Sequence, residues 1–379
     1  MYELTRTSIA KALAGAPGAA VLGWGVSVTR LPEWASRQSG NKPAVDSSAS
    51  KPSGARLRFS TRASWIELTA IFTVVTDGSA NARMAEPVLA LTTATTEQVV
   101  PVRDVVVRLV PAGAVLELKE EGATSIRFDV PEAGGEQALS LWLPHNCAVV
   151  ITSITADEPL KPARPSGPLW THYGSSISQC DGTSTPLGVW PVIAARELGL
   201  DLTSFALAGQ AHLDQFVARA LREVPADLIS LKLGINIVNA ASMRLRAFVP
   251  AVHGFLDTVR ERQPLTPILI ISPIFCPAHE DAPGPSIGID GYAYSAGLPF
   301  VPGDGQLTLR EIRRLLMEVV EERSASDANI HYLDGLGLFG PEDADLLLDG
   351  LHPNEEGYRL IGSRFVDAVG AQIAGWVER

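Results

Sequence analysis

Cysteine is scarce in this sequence of 379 residues, which contains only Cys147, Cys180 and Cys276. Such an odd and sparse set cannot build the disulfide framework of a small secreted protein, and it lacks the paired spacing of a zinc site. We therefore expect a cytoplasmic protein that carries no metal.

Long apolar runs and clusters of positive charge are also missing. The apolar stretch nearest the N-terminus, residues 12–24, is short, is interrupted by glycines and Pro17, and follows Glu3. It predicts neither a membrane span nor an ordinary signal peptide, and an atypical export signal is the alternative. The formal net charge of −11 repels phosphate backbones and anionic lipid, so we expect no nucleic-acid or membrane partner.

The composition that is present, 46% hydrophobic and 19% charged residues, is that of a globular protein, and the length favours two domains. Over residues 56–154 short apolar segments recur, and several alternate apolar with polar side chains, as in Ser125–Val130. The predicted strands are Arg56–Ser60, Trp65–Val75, Val100–Leu109, Ala114–Leu118, Ser125–Val130, Gln137–Leu143 and Ala148–Ile154. We expect residues 1–160 to form an antiparallel β-sandwich.

A segment rich in proline and glycine, Glu158–Pro168, connects this region to one with a different pattern. From there on, segments of strand length alternate with segments of helical periodicity. The predicted strands are Leu169–Tyr173, Leu202–Ala208, Leu228–Leu233, Ile268–Ser272 and Ile330–Leu333. The predicted helices are Pro186–Leu198, Leu213–Glu223, Met243–Arg262, Leu309–Ser324 and Asn354–Trp376. This alternation predicts a parallel sheet covered on both faces over residues 161–379, with sites at the carboxyl ends of its strands.

Small residues in Thr171–Ser178 lie between a predicted strand and a helix, where a serine hydroxyl can be exposed beside backbone N–H donors. A Gly-Ser-Ser turn is more often an ordinary strand-to-helix connection without catalysis. We expect His172, within the strand, to be a packed histidine and Cys180 to be a buried small hydrophobic residue.

Far downstream, Asp349 precedes His352 by three residues at a loop-to-helix junction. That spacing lets a carboxylate orient an imidazole whose other nitrogen faces a hydroxyl, as a serine nucleophile needs. The alternative is a turn at Asp349 and a helix cap at Asn354, without catalysis. Two further strand ends carry Gly209 and Asn236, which are suitable donors to a developing oxyanion and equally suitable turn residues.

In this order, these segments resemble the four sequence blocks of the SGNH hydrolases, the GDSL-like lipase and acylhydrolase superfamily. The blocks are Gly174–Ile177, Gly209, Gly234–Asn236 and Asp349–Pro353, and the resemblance spans residues 169–379. It implies a flavodoxin-like, three-layer α/β/α hydrolase domain, here preceded by a jelly-roll-like sandwich, that requires no cofactor.

The resemblance also implies a role for each matching residue. Ser176 is the implied nucleophile, His352 the base and Asp349 the acid that orients it. The implied oxyanion hole consists of the backbone N–H groups of Ser176 and Gly209 and the side chain of Asn236.

The sequence departs from the family's usual motifs at two positions. Ser175 stands where the family name has aspartate, and Ile237 follows Asn236 where aspartate is common. These departures, with the segments Arg30–Trp34 and Trp142–Asn146, look like a subgroup in which a β-sandwich precedes the hydrolase domain. Many relatives of that plan are associated with deacetylating sugars.

The segment Cys276–Gln306 is a long loop, rich in proline and glycine, where this fold normally uses two to six residues. Loops of that length are usually lids or disordered. His279, Glu280, Tyr292 and Tyr294 are its candidate substrate contacts, and for each of them a solvated loop position is the alternative.

We therefore expect a serine esterase that cleaves short acyl esters, above all acetates, of a carbohydrate-like or other polar alcohol. The polar segment Gln179–Thr185 favours this over the apolar channel of a lipase. The alternatives are a lipase or thioesterase, an acyltransferase on longer acyl groups, and a non-catalytic carbohydrate-binding protein. The expected partner is a small-molecule ester, and whether the chain forms a homo-oligomer is left open.

Overall fold

The computed structural model describes residues 1–76, 86–110, 116–131, 134–165, 167–297, 301 and 303–377. The chain divides into two compact units. Unit 1 comprises residues 1–166, 181–189 and 202–204, and unit 2 comprises residues 167–180, 190–201 and 205–379. Within the described ranges, no helix is long and apolar enough to cross a membrane.

Unit 1 consists mainly of β-strands, with short helices near its start. The strands are β1 Tyr2–Glu3, β2 Leu13–Ala14, β3 Ala20–Val21, β4 Val26–Val28, β5 Arg56–Thr61, β6 Trp65–Thr76, β7 Val88–Thr92, β8 Glu97–Pro101, β9 Val106–Leu109, β10 Thr124–Asp129, β11 Gln137–Trp142, β12 Ala148–Ala156 and β13 Lys161–Pro162. The helices are α1 Arg6–Ala12, α2 Glu33–Ser36 and α3 Lys42–Ala49.

These strands form two sheets. One has the order β10-β6-β12-β4-β3, with β1 beside β12 and β9 beside β6, and the other has the order β13-β5-β11-β7-β8, with β2 beside β5. The pairs β6–β12 and β5–β11 are antiparallel, whereas β6–β9 is parallel. Side chains from both sheets, such as Phe59 and Phe72, share one core. Unit 1 is therefore the predicted β-sandwich.

The alternation that predicted strands here is visible in β10, where Phe128 is buried while Arg127 and Asp129 are exposed. The prediction of one strand over Val100–Leu109 is wrong, because the chain bends between β8 and β9 and the buried Val102 bonds to Pro87 instead. Of the predicted strand Ala114–Leu118, residues 114 and 115 lie outside the described residues and the others form no strand.

Unit 2 alternates strands and helices. Its strands are β14 Leu169–Gly174, β15 Asp201–Ala206, β16 Leu228–Lys232, β17 Ile268–Ile271, β18 Ser286–Ile289, β19 Tyr292–Ser295 and β20 Ile330–Leu333. Residues 202–204 of β15 are grouped with unit 1. Its helices are α4 Ser176–Gln179, α5 Trp190–Glu197, α6 Gln215–Arg222, α7 Ile235–Asn239, α8 Leu245–Arg260, α9 Leu309–Ser324 and α10 Glu355–Val377. Short 3₁₀ turns cover Gly335–Gly337 and Pro341–Leu346 in this unit, and Pro186–Gly188 in unit 1.

The main sheet of unit 2 has five strands in the order β15-β14-β16-β17-β20. In chain order this is the flavodoxin-like arrangement 2-1-3-4-5, in which ligands bind where the strand order reverses. Side chains alternate along a strand, so Trp170 and Tyr173 of β14 point to opposite faces. Trp170 stacks on Phe365 of α10 and Tyr173 on Phe255 of α8. Helices therefore cover both faces, and the predicted three-layer domain is confirmed.

The long loop predicted over Cys276–Gln306 is structured in its middle. Strands β18 and β19 form an antiparallel hairpin there. Residues 298–300 and 302 of the loop lie outside the described residues.

Candidate active site

Ser176 is the first residue of the short helix α4, directly after β14. Ser175 precedes the helix with an extended backbone, and its Oγ accepts a hydrogen bond from the N–H of Ile177 at 3.3 Å. This local capping ends the strand and turns the chain at the carboxyl edge of the sheet. Ser175 is buried, whereas Ser176 is only partly so. The Ser176 hydroxyl is thus the one presented at the edge.

The side chain of His352 joins this hydroxyl to a carboxylate. The distance from Ser176 Oγ to His352 Nε2 is 2.8 Å, and that from His352 Nδ1 to Asp349 Oδ2 is 2.7 Å. An ionised carboxylate can only accept, so Nδ1 carries the proton and Nε2 is free to accept from the serine hydroxyl. About a third of each of the His352 and Asp349 side chains is exposed, so solvent reaches the pair.

The backbone around Asp349 fixes its carboxylate. Oδ1 accepts from the N–H groups of Leu351 at 3.0 Å and His352 at 2.7 Å, which leaves Oδ2 for the imidazole. Between them Gly350 has a φ of +77°, a left-handed conformation that favours glycine. Burial raises the pKa of Asp349, but the hydrogen bonds from His352 and from these N–H groups outweigh it and hold the pKa below its ordinary value.

Asn236 lies in α7, just past the end of β16, and its side chain is buried. Its Oδ1 accepts from the N–H of Ala211 at 3.0 Å. Because the oxygen of the amide is engaged in this way, its NH₂ end is the one available as a donor. Gly209 has a φ of +68°, and its carbonyl lies 3.1 Å from His212 Nε2. Ala211 lies two residues after Gly209, so its hydrogen bond to Asn236 holds the segment that contains Gly209 next to Asn236.

A buried network beneath Ser176 was not anticipated from the sequence. His172 Nε2 lies 2.8 Å from Ser178 Oγ, and His172 Nδ1 lies 2.7 Å from Ser230 Oγ, which also accepts from Trp170 Nε1 at 2.8 Å. Burial, together with the charge of Lys232, lowers the pKa of His172 to about 3, so the ring is neutral. His172 is the packed histidine that the sequence predicted, and it anchors the helix that carries Ser176.

The polar residues after Ser176 bond to the protein itself. Gln179 is fully buried, and its Oε1 accepts from the N–H of Ala208 at 3.2 Å. In unit 1, Asp181 pairs with Lys51, and the hydroxyl of Thr183 lies 3.0 Å from His145 Nε2. The segment Gln179–Thr185 therefore lends no support to a polar substrate pocket.

The candidate contacts from the long loop lie in different environments. Both carboxylate oxygens of Glu280 bond to Arg313, at 2.6 and 2.7 Å, and His279 is buried with its Nε2 2.5 Å from Ser286 Oγ. Tyr292 and Tyr294 are about half exposed on β19. Of these four candidates, only the tyrosines present an open surface to a ligand. Glu280 and His279 bond to the protein itself and hold the loop in place.

Cys180 is buried as predicted, with its Sγ 3.1 Å from the carbonyl oxygen of Ile177. Across the residues that the structure describes, no group of three or more His, Cys, Asp or Glu side chains is placed to hold a metal ion. The site places a hydroxyl, an imidazole and a carboxylate in series, so a proton can pass from the hydroxyl to the imidazole.

Known proteins share this architecture. The chain is 25% identical to SsfX3, a salicylyl-acyltransferase from a tetracycline biosynthetic pathway; the match has a TM-score of 0.77 and covers 98% of this chain and 97% of that chain. A family two carbohydrate esterase from Clostridium thermocellum, in complex with cellohexaose, is 12% identical at a TM-score of 0.59, covering 96% and 99%. A family two carbohydrate esterase from Cellvibrio japonicus is 10% identical at a TM-score of 0.59, and the match covers 99% of this chain and 98% of that chain.

At these low identities, the two carbohydrate esterases show a shared fold alone. No curated protein matches the sequence. Residues 172–360, which hold all the residues of the site, match the model of the GDSL-like lipase/acylhydrolase family. The chain therefore carries, over residues 172–360, a domain of the GDSL-like lipase/acylhydrolase family.

Proposed function

We propose that the protein is a serine hydrolase that cleaves carboxylic esters through an acyl-enzyme on Ser176. The observation that carries the proposal is the continuous hydrogen-bond chain from Ser176 Oγ through His352 to Asp349, at 2.8 and 2.7 Å. A serine hydroxyl is a weak nucleophile until a base accepts its proton, and this chain supplies the base with its tautomer fixed.

The proposed reaction uses the groups of the site in turn. Ser176 Oγ attacks the ester carbonyl carbon while His352 Nε2 takes the hydroxyl proton, and Asp349 stabilises the imidazolium that results. The carbonyl oxygen gains charge, which the N–H groups of Ser176 and Gly209 and the amide of Asn236 stabilise. The tetrahedral intermediate collapses, the alcohol leaves with the proton from His352, and the acyl group stays on Ser176. Water then attacks the acyl-enzyme by the same steps.

The substrate proposed from the sequence is a short acyl ester, above all an acetate, of a carbohydrate-like or other polar alcohol. The carbohydrate esterases of the same fold are the support for it. Acyl transfer to an alcohol is the second candidate, and the salicylyl-acyltransferase, similar over the full length of this chain, favours it. Both candidates use the same acyl-enzyme and differ in whether water or an alcohol removes the acyl group.

Hydrolysis of p-nitrophenyl esters from acetate to octanoate tests the proposal. We expect kcat/KM to be highest for acetate and to fall steeply by hexanoate. Ser176→Ala should abolish turnover, and Ser175→Ala, which loses only a capping bond, is the matched control and should stay within about tenfold of wild type. Wild-type rates equal to those of Ser176→Ala would refute the proposal, and a profile that rises to octanoate would favour a lipase or thioesterase.

Added alcohol separates the two candidates. If the protein is a transferase, increasing concentrations of an alcohol should divert product from the free acid to a new ester. A product that stays free acid at every alcohol concentration identifies a hydrolase.

A further inference from the structure

The hairpin of β18 and β19 presents four large apolar side chains on one face. Ile287 lies opposite Tyr294 and Ile289 opposite Tyr292 in its register. Directly paired residues share a face, and residues two apart along a strand return to it, so all four lie together. Their exposed fractions run from 43% for Ile287 to 51% for Tyr292. An apolar surface of this kind commonly marks a binding site.

Hydrogen bonds at its base fix the hairpin. The hydroxyl of Ser295 donates to the carbonyl of Pro283 at 2.7 Å, and the N–H of Ala296 donates to that of Pro285 at 2.9 Å. Further back, the two bonds between Glu280 and Arg313 hold the loop to α9. The apolar face is therefore formed before any ligand arrives, which lowers the entropic cost of binding.

The hairpin is attached to the loop of the proposed catalytic acid. The N–H of Ala293 donates to the carbonyl of Asp349 at 2.8 Å. A Cβ added to Gly350 would lie 3.7 Å from Cδ1 of Tyr292, so this tyrosine ring packs over the loop. The apolar face is thus continuous with the segment that carries Asp349 and His352.

The proposed reaction determines which part of an ester would lie there. His352 must return its proton to the departing alcohol, so the alcohol oxygen leaves within hydrogen-bond reach of His352. The carbonyl oxygen faces Gly209 and Asn236, which lie on other segments. The hairpin therefore borders the side of the site from which the alcohol leaves.

The chemistry of the face indicates the kind of alcohol. Two isoleucines and two tyrosine rings offer apolar and aromatic contact, whereas the carboxylates nearby in the loop are engaged, Glu280 by Arg313 and Asp281 by Arg310. Sugar hydroxyls need hydrogen-bond partners. On the described hairpin the hydroxyls of Ser286 and Ser295 already have partners within the protein, which leaves the tyrosine hydroxyls and Asp290 at the turn.

We infer that the β18–β19 face binds an apolar ring in the alcohol part of the ester, next to the scissile bond. The inference rests on the proposed acyl-enzyme and keeps the short acyl group, but it replaces the carbohydrate-like alcohol with an alcohol that carries a flat, apolar ring. The ring packs against Ile287, Ile289 and Tyr294 and stacks on Tyr292.

The test compares two acetates that differ in the alcohol, 2-naphthyl acetate and trifluoroethyl acetate. In the double variant Ile287→Ser/Ile289→Ser, kcat/KM for the naphthyl ester should fall about 25-fold. Covering the exposed half of one isoleucine side chain strengthens binding about fivefold, and the effects of the two isoleucines multiply. The trifluoroethyl ester, which has no ring, should be unaffected. Leu265→Ser is the control, since Leu265 is 75% exposed just before β17, at the opposite edge of the sheet.

Three other outcomes contradict the inference. Equal losses on both esters, or none on either, mean that the face does not bind the ring. An acetylated sugar is assayed beside the two acetates, and a loss in the double variant that is confined to this sugar means that the ring is a carbohydrate. Concentration-dependent self-association that the double variant abolishes, measured by sedimentation, means that a second copy covers the face. Absence of wild-type activity on both acetates refutes the proposed function instead.

Discussion

Replacing Asp349 with asparagine tests how the carboxylate orients the imidazole. Oδ1 of Asp349 accepts two backbone N–H groups, at 3.0 and 2.7 Å, and only Oδ2 bonds to His352 Nδ1. In Asp349→Asn the amide oxygen can keep both backbone bonds, so the loop should hold its shape. The amide NH₂ then faces Nδ1, and two donors cannot bond to each other. The proton of His352 is driven to Nε2, where it blocks acceptance from Ser176.

The expected loss in kcat is large. Where the same change has been made in a serine triad, the wrong tautomer lowers kcat by about 10⁴. Stability should change little, because the backbone bonds persist. In Asp349→Ala those two bonds are lost as well, so both kcat and the midpoint of thermal unfolding should fall.

The assay is p-nitrophenyl acetate hydrolysis, with thermal unfolding measured on the same samples. Hydrogen bonds hold the pKa of Asp349 below its ordinary 3.8, so the wild-type carboxylate is ionised at the neutral pH of the assay. An Asp349→Asn variant within tenfold of wild type would show that the carboxylate does not set the tautomer.

Three further predictions follow from the same geometry. Asn236→Ala should lower kcat by about 10² to 10³ with little change in KM, and a pure KM effect would make Asn236 a substrate contact instead. Ser178→Ala leaves His172 Nε2 without its partner, so the variant should lose about 1–3 kcal/mol of unfolding free energy. Labelling of Ser176 by a fluorophosphonate should also be slower, and an unchanged labelling rate would show that Ser178 does not help to place the nucleophile. His172 has a pKa of about 3 when folded and 6.5 as its ordinary value, so the unfolded chain takes up the proton first and stability declines as pH falls from about 6.5 toward 3. Measured by urea unfolding, the unfolding free energy should decline less with falling pH in His172→Gln than in the control His253→Gln. Equal declines in the two variants would contradict this prediction.

The sequence was sufficient to place the five strands of the main sheet, the five longer helices of unit 2 and the residues of the proposed triad, but not α7 or the β18–β19 hairpin. Buried parallel strands read as continuous apolar runs, and helix α9 coincides with its predicted bounds because its periodicity and the cap at Thr308 are local signals. The pairing of Asp349 with His352 is equally local, since His352 follows Asp349 by three positions. Ser176 could be joined to them only through the order of the family's sequence blocks.

Contacts between distant residues were beyond the sequence. Glu280 read as a candidate substrate contact because nothing in its own segment reveals Arg313, which lies 33 residues further on. From the sequence, Gln179 was expected to line a polar substrate pocket, but its side-chain amide bonds to the backbone N–H of Ala208 instead. The turn residues between β18 and β19 indicate a hairpin only once its pairing is known, so the shared face of Ile287 and Tyr294 was missed as well.

The most direct test of the central claim is to trap the nucleophile with a fluorophosphonate and map the modified peptide by mass spectrometry. We expect one adduct, on Ser176, that is absent in Ser176→Ala and retained in Ser175→Ala. Labelling should be slow in His352→Ala, where no base accepts the hydroxyl proton. An adduct on any other residue, or equal labelling of wild type and Ser176→Ala, would contradict the assignment of Ser176 as the nucleophile.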